Sequence, residues 1–429
     1  MHTETRSSIV LPAHASLGLV LALGGCPSSP SGDDGPSAAE TGGDTGGETT
    51  AGVDESSGGE DPVQAAYFVF NRIQTPEGRT MFASILPQLD HGLVDVGEAL
   101  ELSGLSRGRI FNDKLYAFDG ESGVITRFAI AEDGTLSPDA LDDGSPAQVS
   151  FASLGISAFL STVSFIDENR ALYFDLWGDV VVDWNPTTMT IVDNFPAGLQ
   201  REGFDISGGE MTRIDDQLVI PLSWQNAGTA EAIEVNAIGV VDLQDPTSIR
   251  VIEDARCMGT ASTFVFEDQL YVMADNFGGL AVTLTDDELP PPCLLRWTPG
   301  ADAFDADYHL DLSAHTGYQL VAGALSTGDG TFMTQVYTSD EDPSTLGLFE
   351  LLDGDHWSRA FVSLDGETTI VEQIPPGAAS SQGWIVDGRY LFPRADDTAG
   401  ESTLFSFEDG TVSELLTVPG DLFIVDRVR

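Results

Sequence analysis

Positive charge is almost absent from this sequence. The 69 aspartates and glutamates face 18 lysines and arginines, which gives a formal net charge of −51, and Lys114 is the sole lysine. A surface of this sign repels phosphate groups, so we expect no nucleic-acid partner and no binding to an anionic membrane surface. The acidic side chains indicate either a solvated coat suited to a salty medium or attraction of cations such as Ca²⁺ to carboxylate-rich loops.

Long apolar runs are missing too, apart from one near the N-terminus. Residues 9–23 form an apolar run that follows Arg6 and ends at Leu23-Gly24-Gly25-Cys26. This order is typical of a secretory signal peptide and too short for a stable membrane span. The four residues resemble the lipobox of bacterial lipoproteins, which implies cleavage after residue 25 and a lipid on Cys26. The alternative is a plain signal peptide with an incidental cysteine.

Residues 26–62 are poor in apolar side chains and rich in Gly, Ser, Thr, Pro, Asp and Glu. Such a segment cannot bury enough apolar surface to offset its ordering entropy, so we expect a disordered acidic tether. Pro27 follows Cys26 at the position where lipoproteins retained at an inner membrane typically carry aspartate. The resemblance therefore implies an exported chain anchored in the outer membrane or at the cell surface, which touches the membrane through its lipid alone.

Helical periodicity is absent from residues 63–429, where short apolar runs alternate with turns. This pattern predicts an all-β domain. Aspartate-glycine pairs recur at positions where both residues tolerate positive φ, and we expect these pairs to form hairpin turns. They are Asp119-Gly120, Asp133-Gly134, Asp329-Gly330, Asp353-Gly354, Asp365-Gly366, Asp387-Gly388 and Asp409-Gly410.

A longer repeat overlies these turns. Apolar anchors return every 54 to 59 residues at Phe128, Trp184, Leu243, Trp297, Leu351 and Phe407. A second strand precedes most of them, at residues 114–116, 171–173, 217–219, 269–271 and 389–391. A repeat of this length with about four strands predicts one propeller blade, and a degenerate first unit from Tyr67 to about Leu102 brings the number to seven. A pair of β-sandwiches with chance spacing is the alternative.

Cysteine is scarce: with Cys26 assigned to a lipid, Cys257 and Cys293 remain. In an oxidising compartment this even remainder predicts one disulfide. Two buried free thiols are the alternative.

Two catalytic signatures are also lacking: the sequence has no Ser-x-x-Lys and no His-Glu-x-x-His. Alternation would place Asp305, Asp307, His309 and Asp311 on one face of an extended strand, as weak candidates for a metal site, although such a stripe is more often solvated. No cofactor is firmly implied, and Ca²⁺ stays open. Trp177, Trp224 and Trp357 would stack flat ligands if exposed, but tryptophan more often packs in a core.

Lipobox, tether and repeated blades together resemble the secreted propeller lipoproteins of bacteria. Some members are associated with siderophore and iron-uptake gene sets, which implies an accessory role in uptake of a ligand. Two functions follow as hypotheses. The first is a monomeric, non-enzymatic binding or scaffold propeller for an unknown protein or small molecule. The alternative is a Ca²⁺-dependent hydrolase or lyase with at least three inward-facing Asp, Glu or Asn from different blades in the channel.

Overall fold

The fold was analysed in a computed structural model of the chain. The structure describes residues 66–76, 78–90, 92–156, 163–226, 231–260, 262–274, 290–318, 320–346, 348–379, 382–396 and 398–428. The predicted signal peptide, Cys26 and the acidic tether lie outside these ranges. No helix in the described part of the chain is both long and apolar enough to cross a membrane.

In the described residues, 32 strands form seven sheets, which we number as blades from the N-terminus. Their strands pair antiparallel, apart from the parallel pairing of β3 with β31. Blade one combines β1 (Tyr67–Thr75), β2 (Gly78–Leu86) and β4 (Leu100–Ser103) with the last strand of the chain, β32 (Asp421–Arg427). Blade two contains β5 (Ser106–Phe111), β6 (Lys114–Asp119), β7 (Val124–Ile130), β8 (Leu136–Pro138) and β9 (Gln148–Ser150). Blade three contains β10 (Val163–Asp167), β11 (Arg170–Asp175), β12 (Val180–Asn185) and β13 (Thr190–Pro196).

The remaining blades follow in chain order. Blade four contains β14 (Asp205–Gly208), β15 (Thr212–Ile214), β16 (Gln217–Asn226), β17 (Glu231–Ala232), β18 (Asn236–Asp242) and β19 (Asp245–Asp254). Blade five contains β20 (Ser262–Phe266), β21 (Gln269–Met273), β22 (Cys293–Trp297) and β23 (His309–Asp311), and blade six contains β24 (Val321–Ser326), β25 (Thr331–Tyr337), β26 (Trp357–Ser363) and β27 (Thr368–Ile370). Blade seven contains β28 (Trp384–Val386), β29 (Arg389–Asp396), β30 (Glu401–Glu408), β31 (Thr411–Pro419) and β3 (Gly92–Leu93).

This arrangement is a seven-bladed β-propeller, and it confirms the fold class expected from the repeats. The innermost strands are β32, β5, β10, β14 with β15, β20, β24 and β28. Contacts join β15 to β20, β20 to β24, β24 to β28 and β28 to β32. The ring closes because β32 pairs with β1, where Tyr67 lies opposite Arg427 and Val69 opposite Val425. A salt bridge of 2.6 Å from Arg72 to Asp421 supports the same pairing.

A short turn precedes the second strand of most blades, and it is built from aspartate, glutamate, asparagine or glycine. Asn112 and Asp113 before β6 both have positive φ, as do Glu267 and Asp268 before β21. Two residues with positive φ give a turn whose twist matches that of the paired strands, which fixes the register of each hairpin. The sequence therefore located these strands through local turn chemistry.

Two expectations about blade six are wrong. Leu351 does not lie in a strand but in helix α2 (Leu348–Asp353), which precedes the third strand β26. Asp353 is the last residue of that helix and Gly354 follows it, so the pair does not form a hairpin turn. The connection over residues 338–356 is long enough to hold a helix. Leu351 therefore lies 54 residues after Trp297 without occupying the strand position that Trp297 has in its own blade.

Each pair of neighbouring blades shares an apolar cluster. Along β1, Phe68 packs toward blade two and Val69 toward blade seven, so consecutive residues are buried on opposite faces. Between blades two and three, the Trp184 ring lies 6.0 Å from that of Tyr116 and 5.9 Å from that of Phe165. A single blade cannot bury its own apolar faces and depends on its neighbours to cover them. These contacts between blades therefore hold the ring together.

We expect Trp184→Ala to destabilise the propeller by about 3 to 5 kcal/mol, because it leaves a cavity at a blade interface. Trp184 has no solvent exposure, whereas Trp177 in the same blade is 39% exposed. The matched control Trp177→Ala should therefore change the free energy of unfolding by less than about 0.5 kcal/mol. Urea unfolding measures both, and equal effects would contradict the assignment of Trp184 to the interface.

Candidate functional site

Three charged side chains from different blades meet at the innermost strands. Arg109 belongs to β5, Asp426 to β32, and Glu210 to the segment between β14 and β15. The Arg109 Nη1 atom lies 2.7 Å from Oε1 of Glu210. Since these two residues belong to blades two and four, their ion pair bypasses blade three and reaches across the channel. We call Arg109, Glu210 and Asp426 the channel cluster.

A β-bulge positions Glu210. Gly208 pairs with Leu222 and Thr212 with Val219, so three residues of the inner strand face two of β16. A bulge redirects the side chain of the extra residue. A Cβ atom on Gly208 would lie 2.6 Å from Leu176 Cδ1 and 3.0 Å from the carbonyl oxygen of Pro221, so a larger residue there would require these neighbours to shift.

Burial and like charge both act on the carboxyl groups of the channel cluster. Burial raises the pKa of Glu210, the nearby charge of Asp426 raises it further, and the Arg109 guanidinium opposes the rise. Burial likewise raises the pKa of Asp426, again against the influence of Arg109. Among the described residues, the Glu210 Oε2 atom has neither solvent contact nor a hydrogen-bond partner. The cluster therefore holds a proton more readily than ordinary carboxylates do.

The channel cluster by itself does not meet the requirement for the expected Ca²⁺ site. The expected Ca²⁺ site required at least three carboxylate or amide ligands from different blades, and the channel cluster supplies two carboxyl groups beside an arginine. Within the described ranges, the side chains grouped closely enough to share a metal ion are Cys257, Cys293 and His309, which lie elsewhere.

The four weak metal candidates do not share one strand face. Strand β23 covers His309 to Asp311, whereas Asp305 and Asp307 lie in the preceding irregular segment. Asp305 accepts a 3.0 Å hydrogen bond from Nε of Arg296, and Asp311 caps helix α1 (Leu312–Thr316) through the backbone N–H of Ala314. Asp305 and Asp311 therefore already accept hydrogen bonds from neighbouring residues. The expectation that residues 305–311 form one extended strand was wrong.

Cys257 and Cys293 form a disulfide in the structure, with their Cα atoms 5.8 Å apart. Both side chains are fully buried. The bridge joins the connection between blades four and five to the first residue of β22.

Two of the three tryptophans considered as ligand platforms belong to the core. Trp224 is 1% exposed and donates from Nε1 to the carbonyl of Leu199, and Trp357 has no exposure and donates to the carbonyl of Leu351. Trp177 remains partly exposed on its turn.

Comparison with known proteins identifies no family for this chain. No protein-family model and no curated protein sequence matches the chain. Among solved structures, apo AztD from Citrobacter koseri is 12% identical, with 85% of this chain and 98% of that chain covered and a TM-score of 0.44. A putative 6-phosphogluconolactonase from Bacteroides fragilis is 11% identical with the same coverages and a TM-score of 0.48. The propeller domain of the trilobed protease from Pyrococcus furiosus is 10% identical, covers 82% of this chain and 92% of that one, and has a TM-score of 0.42. These likenesses concern the fold alone.

We expect the stability of the wild type to fall relative to Asp426→Asn as the pH rises above about 4, the ordinary aspartate pKa. A raised folded-state pKa means that the contribution of this carboxyl is fully present below its unfolded pKa and is lost as the pH rises through the folded one. The asparagine variant lacks this titration. Urea unfolding at several pH values measures the difference.

Asp133→Asn is a control for which we expect the stability difference from the wild type to change with pH in the opposite direction. A hydrogen bond from the backbone N–H of Thr135 helps to lower the pKa of Asp133, so the wild type should gain stability relative to this variant as the pH rises through the acid range. Parallel curves for the two variants would contradict the assignment.

Proposed function

We propose that the chain is an exported, lipid-anchored propeller that binds a positively charged partner, without chemical turnover, on the loop face of blade six. The observation that carries the proposal is a rigid acidic surface made of helix α2 and residues 371–379. We call it the blade-six platform.

Backbone hydrogen bonds fix the two parts of the platform to each other and to the blade. The N–H of Ala379 donates to the carbonyl of Leu352 at 2.8 Å, and Trp357 and Gly377 exchange bonds of 3.0 and 2.9 Å. The amide of Gln335 donates to the carbonyl of Ala378 at 2.8 Å. A surface held in this way loses little conformational entropy when a partner binds, which favours recognition.

An apolar cluster supports the platform from below. Leu351 and Leu352 of helix α2 pack with Trp357, Leu320 and Met258, and all five are buried. The cluster draws residues from blades four to six, so the platform is anchored in the ring itself. Long connections positioned by such a scaffold are where binding residues of propellers and similar folds concentrate.

The outer side of the platform and of the connection leading to it is acidic. The segments 338–356 and 371–379 contain no lysine or arginine. Their exposed acidic residues are Asp340, Glu341, Asp342, Glu350, Asp355 and Glu372. Together with the net charge of −51, these carboxylates favour a partner of opposite sign and speed its encounter.

The anchor and the tether support a role at a membrane surface. Lipidation of Cys26 would fix one end of the chain, and the acidic segment up to residue 62 would let the propeller reach a partner at some distance. An accessory role in uptake of a ligand, which the resemblance to secreted propeller lipoproteins implies, would use this geometry.

Site-specific photo-crosslinking in the bacterium that produces the chain tests the proposal. A photoreactive residue replaces Glu350 on the platform or, as the matched control, Glu408. Both side chains are exposed, but Glu408 ends the third strand of blade seven, whereas the platform precedes the start of the third strand of blade six. The two positions therefore lie on opposite faces of the ring.

We expect a discrete adduct from position 350 and none from position 408. Adding Glu372→Lys should lower the yield several-fold, since one charge reversal weakens electrostatic association by that order. Adducts of equal yield from both faces, or an adduct unaffected by the lysine, would overturn the proposal.

A further inference from the structure

Three side chains that favour transition metals lie together on the outer part of blade five. They are Cys257 in the connection from β19 to β20, Cys293 at the start of β22, and His309 at the start of β23. Their ligand atoms all lie within 4.8 Å of one another. Both sulfur atoms are buried, and the histidine is exposed.

Strand register places two of these residues on one sheet face. His309 pairs with Leu295, and Cys293 lies two residues before Leu295, so Cys293 and His309 point to the same side of the sheet. Cys257 approaches that side from the neighbouring connection. A tetrahedral Zn²⁺ ion with Zn–S bonds of about 2.3 Å requires sulfur atoms about 3.8 Å apart. The Cα separation of 5.8 Å accommodates either a disulfide or such a pair of thiolates.

An arginine holds the ligand-bearing segments together independently of the disulfide. Arg256 precedes Cys257 and donates from Nη1 to the carbonyl of Tyr308, which precedes His309, at 3.1 Å. Its Nη2 atom donates to the carbonyl of Asp305 at 2.9 Å, while Asp254 holds the guanidinium in place. The positions of Cys257 and His309 are therefore coupled through backbone contacts that would persist after the disulfide opens.

We propose that the reduced chain binds one Zn²⁺ ion, or a similar thiophilic divalent cation, through Cys257, Cys293 and His309, and that disulfide formation abolishes the site. Three protein ligands leave a fourth tetrahedral position for water or an exchangeable ligand. The site is separate from the channel cluster and from the blade-six platform.

The two states interconvert by a balanced reaction. A dithiol reductant gives two electrons and two protons to the disulfide, which yields two thiols, and is itself oxidised to a disulfide. The metal ion then displaces both thiol protons to solvent as the two sulfur–metal bonds form. Thiol–disulfide exchange with the oxidised dithiol reverses the sequence: its disulfide accepts two electrons from the thiolates and two protons from solvent, Cys257 and Cys293 form their disulfide again, and the ion is released.

Cobalt titration of the full chain tests the site. All proteins carry Cys26→Ser, so that no third thiol contributes, and a phosphine reductant replaces the dithiol because it competes little for metal. Thiolate ligation of Co²⁺ gives a sulfur-to-metal charge-transfer absorption that surface carboxylates do not give. Excess Mg²⁺ occupies the many exposed carboxylates during the titration.

The proposal predicts this absorption at one equivalent of Co²⁺ in the reduced chain and its absence in the oxidised chain. Cys257→Ser with Cys293→Ser should abolish the band, and His309→Gln should weaken Co²⁺ binding at least about tenfold. His315→Gln is the matched control, since His315 lies on helix α1 outside the group and should leave the titration unchanged.

Each other outcome overturns the proposal. A reduced, folded chain without the band shows that the three residues do not bind metal. An unchanged titration in His309→Gln excludes the histidine. If the reduced chain unfolds, the same titration is made during refolding, and failure of Co²⁺ to restore both the band and the circular dichroism spectrum contradicts the site.

Discussion

The ring of seven sheets closes through one sheet that contains strands from both ends of the domain. Here β32 occupies the inner position of blade one beside β1, and every other blade takes its strands from one stretch of sequence, apart from the two-residue strand β3 at the outer edge of blade seven. Because each blade is apolar on both faces, an open ring would expose the faces of blades one and seven, where Val69, Leu391, Leu404 and Val425 now pack together. The pairing of β32 with β1 therefore protects the interfaces on which all the other blades depend.

The same closure brings the channel cluster together. Asp426 reaches the cluster because it lies in β32, and it influences Glu210 of blade four although the two residues are far apart in sequence. Ring geometry thus creates a site whose members no local sequence pattern connects. The blade-six platform has a different origin, because it is an insertion between strands supported by its own apolar cluster. The centre of the ring and its loop face are therefore available for separate tasks.

The sequence predicted strand positions correctly where the residues of a turn determine the local backbone conformation. Pairs such as Asn112-Asp113 and Glu267-Asp268 mark two-residue turns, and the second strand of the blade follows each of them. Prediction failed where a connection contained extra structure: the spacing to Leu351 matched the repeat, but tertiary packing places it in a helix.

The channel cluster was missed because its residues are distant in sequence. One signal was present, since Gly208-Gly209 faces Pro221 within β16 and both features are typical of a β-bulge. His309 was predicted to lie beside three aspartates, on the assumption that residues 305–311 form one strand. The structure places it beside Cys257 and Cys293 instead.

Native-state hydrogen exchange of β32 tests the central claim most directly. If closure by β32 holds the ring together, its hydrogen-bonded amides should exchange only through global unfolding, with the same free energy and the same denaturant dependence as those of β1. Exchange of the β32 amides by local opening, at a free energy well below that of β1 and without loss of the other blades, would contradict the claim.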